Sequence, residues 1–151
     1  VKLLAASPGE APAMAAAHAR AFPAPWGAAE FENLLGATGV FGFVIESEQP
    51  AGMILCRLVA GEAEVLTLAV APEFRGRGLA RALMAAALGV ARQRGAAEAF
   101  LEVAVDNAAA IGLYRALGFS QSGLRRAYYD RGPAGRVDAL VMRLDLNAAS
   151  A

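Results

Sequence analysis

Five residues after an apolar run, Leu66-Thr67-Leu68-Ala69-Val70, the chain reads Arg75-Gly76-Arg77-Gly78-Leu79-Ala80-Arg81. Glycines at 76 and 78 let backbone N–H groups turn inward. The alanine- and leucine-rich stretch that follows is a helix whose first N–H groups have no internal acceptor. Amides, a helix N-terminus and guanidinium groups in one loop suit a pyrophosphate. Downstream, Glu102 stands mid-strand among apolar neighbours. A carboxylate there is costly unless it faces a solvated cleft or has a partner. Glu64, on the strand leading to the loop, is a rival carboxylate, and Glu62 lies next to the turn at Gly61.

Two phosphate chemistries are excluded or disfavoured. A Walker loop needs Gly-Lys-Ser/Thr, and the chain's single lysine is Lys2. A dinucleotide fingerprint starting at Gly76 would place Arg81 where a small residue must pack helix on strand. Nucleophilic catalysis has one conventional thiol, Cys56, which lies in an apolar run with no histidine near it in sequence. No cluster has metal-ligand spacing.

The elements that must position these residues follow from pattern. Residues 1–6 read as a strand, Ser7-Pro8 as the start of a helix to about Ala21, and a second short helix follows the loop bearing Trp26, through Phe31, Leu34 and Leu35 to near Gly36. Val40–Glu46 and Met53–Val59 form a hairpin around Glu48-Gln49-Pro50. Glu64–Val70 is near-continuously apolar and therefore central. A third helix spans about Gly78–Arg94, and Ala97–Val105 is a strand with Phe100, Glu102 and Ala104 on one face. Asp106 or Asn107 caps a fourth helix reaching about Leu117, and Phe119–Tyr129 with Arg136–Leu146 closes the chain as a hairpin. Three consecutive strands and a terminal hairpin require a mixed sheet with antiparallel parts.

Composition bounds the rest. The 151 residues are 57% hydrophobic and 19% charged, which gives one domain with a substantial core. Net charge is zero, yet residues 65–151 carry eleven arginines against seven acids. That surplus suits a compact anionic ligand better than nucleic acid. No apolar run is long enough for a bilayer, and the first residues lack a signal-peptide pattern, so a cytoplasmic protein is expected.

The phosphate loop, together with Leu68-Ala69-Val70, Leu101-Glu102-Val103, Asn107 through Tyr114 and Leu117-Gly118-Phe119, resembles the GNAT N-acetyltransferases. Pro25-Trp26, Asp106 through Ile111, Arg125-Arg126-Ala127-Tyr128-Tyr129 and Asp138-Ala139-Leu140-Val141-Met142 are similar to the RimI branch of that family. The resemblance implies an α/β GNAT fold. Its sheet is mixed and mostly antiparallel, with a parallel splayed strand pair and flanking helices. It implies a single domain over residues 1–146, with 147–151 as a frayed tail. It implies acetyl-CoA as cosubstrate and no metal. Leu68, Ala69, Val70, Arg75, Gly76, Arg77, Gly78, Leu79, Ala80, Arg81 and Asn107 would bind it.

RimI-type proteins acetylate the N-terminal alanine of a small-subunit ribosomal protein. Carried over, Glu102 is the proton acceptor and Tyr114 the proton donor to the departing thiolate. Trp26, Tyr128 and Tyr129 could wall a peptide groove, or they could plug the edges of the core. Arg125 and Arg126 read as a solvated hairpin face, and His18 as an ordinary helix residue. The expected activity is direct ternary-complex transfer to a protein N-terminal amine in a bacterial cytoplasm, with no nucleic-acid or membrane partner. Two alternatives stay open: a GNAT enzyme acting on lysine side chains or a small-molecule amine, and a non-catalytic CoA-binding module.

Overall fold

The computed structural model describes residues 2–147. Seven strands form one sheet in the order β1-β2-β3-β4-β5-β7-β6. They are β1 (Lys2–Ala5), β2 (Val40–Glu46), β3 (Pro50–Val59), β4 (Glu62–Val70), β5 (Glu98–Ala104), β6 (Ser120–Asp130) and β7 (Arg136–Asp145). Every neighbouring pair is antiparallel except β4–β5. The fold is the expected mixed GNAT sheet, with β4 at its centre.

The first helix departs from the sequence expectation. Residues Pro8–Glu10 form a single 3-10 turn, and α1 (Ala11–Ala21) begins after it. Pro12 has no N–H to bond back to Pro8, so a continuous helix cannot cross this point. Glu10 instead accepts hydrogen bonds from the Ser7 N–H and hydroxyl, both 2.7 Å. The second strand of the first hairpin starts earlier than expected, at Pro50.

α1 and α2 (Ala28–Leu35) cover one face of β1–β4, burying Met14, Phe31, Val44, Met53 and Leu55. Met14 sits directly over Gly42. A Cβ there would come within 2.7 Å of the Met14 methyl and 2.4 Å of the Ile54 carbonyl. α3 (Leu79–Gln93) and α4 (Ala108–Ala116) pack on the opposite face against the larger cluster, which includes Ile54, Leu83, Leu101, Val103 and Met142. Helices α1 and α2 stop short of β5, β7 and β6, so that half of their face stays open. The expected frayed tail lies outside the described residues apart from Asn147, whose N–H donates to Asp145 at 3.0 Å.

Candidate active site

The parallel β4–β5 ladder has three pairs, Glu62↔Glu98, Ala63↔Ala99 and Glu64↔Phe100. Beyond them β4 runs on to Val70 and β5 to Ala104 without pairing, so the strands splay and leave facing backbone groups free of a ladder. A bulge marks the departure. Leu55 pairs with Thr67 but Cys56 pairs with Val65, leaving Leu66 as the extra residue. The alternation of β4 therefore slips: Ala63 and Val65 face the α3 side before it, and Leu68 and Val70 after it.

Gly76 and Gly78 build the candidate phosphate loop with φ of +77° and +78°, a region that favours glycine. The first helical bond of α3 runs from the Ala82 N–H to the Gly78 carbonyl, 3.0 Å. The N–H groups of Leu79, Ala80 and Arg81 thus have no helical acceptor. A hollow of about 270 Å³ lies against this end, lined by Val70, Phe74, Arg75, Gly76, Gly78, Leu79, Ala80, Arg81 and Leu113. Open amides, a helix N-terminus and an apolar floor fit a diphosphate joined to a pantetheine arm. The guanidinium of Arg77 lies 5.3 Å over the Phe74 ring, and Arg75 Nε donates to the Val70 carbonyl at 3.3 Å. Arg75 is therefore tied to the end of β4. Leu68 and Val70 are partly buried on the α3 side, and Ala69 is buried toward α1. Asn107 caps α4, its Oδ1 accepting from the Ala110 N–H at 3.2 Å.

On the other face, a cavity of about 590 Å³ occupies the open half of the sheet. Its lining includes Arg57, Glu62, Glu64, Phe100, Glu102, Arg125 and Val141. Alternation along β5 puts Phe100, Glu102 and Ala104 on this side, as expected, and Leu101 and Val103 in the core. The Glu102 side chain is 16% exposed and pairs with Arg125 Nε at 2.9 Å. The Tyr128 hydroxyl lies close to the same carboxylate, which holds that phenol above its ordinary pKa. Arg125 lies 5.4 Å over the Tyr128 ring. Arg125 stays exposed on the hairpin face, as expected, and is in addition a partner of the candidate base. Glu64, the rival carboxylate, lines the same cavity and is held by Arg57 at 2.8 Å.

Tyr114 is 8% exposed, packed edge-on to Phe119 in the α3–α4 core. Burial, with a smaller push from Tyr129, raises its pKa to about 12. Tyr129 is in turn pushed to about 12 by burial, with smaller contributions from Glu102 and Tyr128. Glu102 thus acts on Tyr129, and Tyr129 in turn acts on Tyr114. Cys56 is buried, which raises its thiol to about 12. Among the described residues no group of three or more His, Cys, Asp or Glu could hold a metal ion.

Trp26 takes the core-edge alternative, and His18 departs from its expectation. Trp26 stacks on His18 at 5.4 Å and packs near Phe31 at 5.7 Å, so it seals the α1–α2 cluster. His18 is 3% exposed and is a junction rather than an ordinary helix residue. Its Nδ1 accepts from the Trp26 N–H at 3.2 Å, which leaves Nε2–H to donate to the Thr67 hydroxyl at 3.1 Å. The sequence carried a signal for this, a lone histidine four residues from Phe22 and eight from Trp26, but nothing that placed Thr67 beside it.

Known proteins share this arrangement. The Acetyltransferase (GNAT) family pattern matches residues 11–119. The [Ribosomal protein bS18]-alanine N-acetyltransferase of Escherichia coli K12 is 34% identical over 128 residues, covering 85% of this chain and 86% of that protein. Its counterpart in Haemophilus influenzae is 30% identical, covering 78% and 80%. The crystal structure of the ribosomal-protein-S18-alanine N-acetyltransferase from Escherichia coli superposes with a TM-score of 0.85 at 32% identity, covering 96% of this chain and 94% of that one. With the splayed β4–β5 pair, the glycine loop at the start of α3 and this family match in agreement, the chain belongs to the acetyltransferase (GNAT) family.

Proposed function

We propose that this GNAT acetyltransferase moves the acetyl group of acetyl-CoA to a protein N-terminal amine, that of a ribosomal protein beginning with alanine. The likeness to bS18-alanine N-acetyltransferases over most of both chains carries this reading. The open cavity at Glu102 supports it, since a chain end can enter there while the diphosphate loop is reached from the other face. In this reading the chain works as one domain over residues 1–146, in a bacterial cytoplasm, on a protein partner and without nucleic acid or membrane. Among the described residues no helix is long and apolar enough to cross a membrane.

Acetyl-CoA supplies an activated thioester. The N–H groups at Gly76–Arg81 would hold its diphosphate, with Asn107 at the head of α4 alongside. A free backbone N–H within Leu68–Val70 would meet the thioester oxygen as negative charge develops there. Glu102 accepts the proton of the attacking amine, directly or through one water. A protein α-amine, with a reference pKa of about 7.7–8.0, is roughly a tenth neutral at pH 7, whereas a lysine is neutral at only about 0.04%. One partly solvated carboxylate is base enough for the former. Tyr114 keeps its proton at any working pH, because burial holds its pKa near 12. It can deliver that proton to the leaving thiolate as the C–S bond breaks. Burial pushes the Cys56 thiol up to about 12, which disfavours a thiolate at neutral pH and supports transfer straight to the amine.

The test is mass spectrometry of peptides incubated with acetyl-CoA and the protein. A ribosomal-protein peptide with a free N-terminal alanine gains one acetyl group on its α-nitrogen. Acetylation confined to lysine in α-blocked peptides, or to a small-molecule amine, overturns the acceptor assignment. CoA binding without turnover of any acceptor supports a non-catalytic module.

A further inference from the structure

Strands β6 and β7 do not pair evenly. Arg125 is opposite Ala139 and Tyr129 is opposite Val137, so Arg126, Ala127 and Tyr128 all face Asp138. In an even strand Arg125 and Tyr128, three residues apart, would point to opposite faces. Here both reach Glu102. The bulge makes that convergence possible by re-aiming side chains locally. It does so at a conformational cost, because Ala127 sits at φ +50°, in the left-handed region that a Cβ disfavours.

Asp138 holds this shape. Its Oδ1 accepts from the Ala127 N–H at 2.7 Å, a charge-assisted bond at the strained residue itself. The Ala127 carbonyl is held on its other side by Arg136 at 3.2 Å. The Asp138 backbone carbonyl accepts from the Val105 N–H at 3.0 Å, just past the end of β5, the strand that carries Glu102. One residue thus clamps the bulge of β6 to the strand of the candidate base.

We propose that Asp138 is a positioning residue for acetyl transfer: by bonding the Ala127 amide it fixes the β6 bulge, and the bulge presents Arg125 and Tyr128 to Glu102. Asp138 itself touches neither substrate. The proposal rests on Glu102 as proton acceptor, and its test separates the two.

Steady-state kinetics are measured for Asp138→Ala, Asp138→Asn and the double variant Asp138→Ala/Ala127→Gly. Asp138→Ala lowers kcat by about tenfold, a part of the factor of 10²–10⁴ that a general base supplies, and leaves the acetyl-CoA KM within about twofold. Asp138→Asn keeps an Oδ1 acceptor and stays near wild type. Glycine at 127 adopts a positive φ without penalty, so the double variant regains most of the lost turnover. A merely structural aspartate would not be rescued at Ala127.

Alkaline absorbance titration gives a readout independent of activity. Freed from Glu102, Tyr128 titrates at lower pH in Asp138→Ala, and adding Tyr128→Phe removes the shift. Unchanged kcat in Asp138→Ala, or a loss that Ala127→Gly leaves unrepaired in a folded protein, overturns the proposal. Should Asp138→Ala fail to fold, the Asn and double variants decide in the same way. If Glu102→Gln keeps wild-type turnover while the tyrosine shift persists, the base assignment falls and the clamp stands.

Discussion

His18 on α1 and Thr67 on β4 meet at 3.1 Å, beside the bulge where β4 leaves β5. The contact joins the loop carrying Trp26 to the strand proposed to present free amides to a thioester. It works only with a neutral ring, since Nδ1 accepts from the Trp26 amide.

This sets a pH dependence. Burial lowers the His18 pKa below its ordinary value of 6.5, against a weaker opposing pull from Glu30. Above pH 6.5 both folded and unfolded chains are neutral at this ring, and its contribution is fully present. As the pH falls below 6.5 the unfolded chain binds a proton that the folded chain resists. Stability is then lost with a slope of at most about 1.4 kcal/mol per pH unit, until the folded pKa is reached. Urea midpoints for the wild type should drop between pH 7 and 5 more steeply than those for His18→Gln. Parallel curves would contradict this.

Glu102→Gln and Tyr114→Phe should each lower kcat by roughly 10²–10³ while acetyl-CoA binding, followed by calorimetry, is retained. With the Tyr114 pKa near 12, the wild-type rate should show no alkaline limb from this phenol up to about pH 11. A limb near 10 that Tyr114→Phe abolishes would mean that the ring is not buried during turnover.

Gly78→Ala tests the loop by conformation alone, because nothing lies within 4 Å of the added carbon. At φ +78° the substitution costs about 1–2 kcal/mol or re-aims the N–H groups that follow. The acetyl-CoA KM should rise about tenfold, matching about 1.4 kcal/mol of lost binding. An unchanged KM would remove the diphosphate from this loop.

Cys56→Ala should leave turnover within about twofold, since a thiol near pKa 12 supplies no nucleophile. Loss of activity in a stably folded variant would indicate an acyl-enzyme on Cys56.

Strand periodicity placed Glu102 on the half-exposed face of β5 because alternation is a local property. Glycine spacing likewise located the turn before α3, where Gly76 and Gly78 take positive φ, and Asn107 was legible as a cap of α4. What was not legible depends on contacts far apart in sequence. The Leu66 bulge needs β3 opposite it to exist at all. The Arg125–Glu102 pair reaches across β7, and a β6 read as evenly alternating would have turned Tyr128 away from it. His18 resembled any helix histidine until Thr67, 49 residues later, came to rest against it. Helix α1 shows a smaller limit: Pro8 signalled a start, and Pro12 moved that start three residues on.

The sheet itself has the last word on how the two reactants come and go. The 590 Å³ hollow and the glycine loop have separate linings, on either side of the point where β4 and β5 part. With the reactants seated as proposed, neither would block the other's exit. Spent CoA would then be exchanged while a peptide remains seated, and a long unstructured chain end would be threaded in without first clearing the nucleotide.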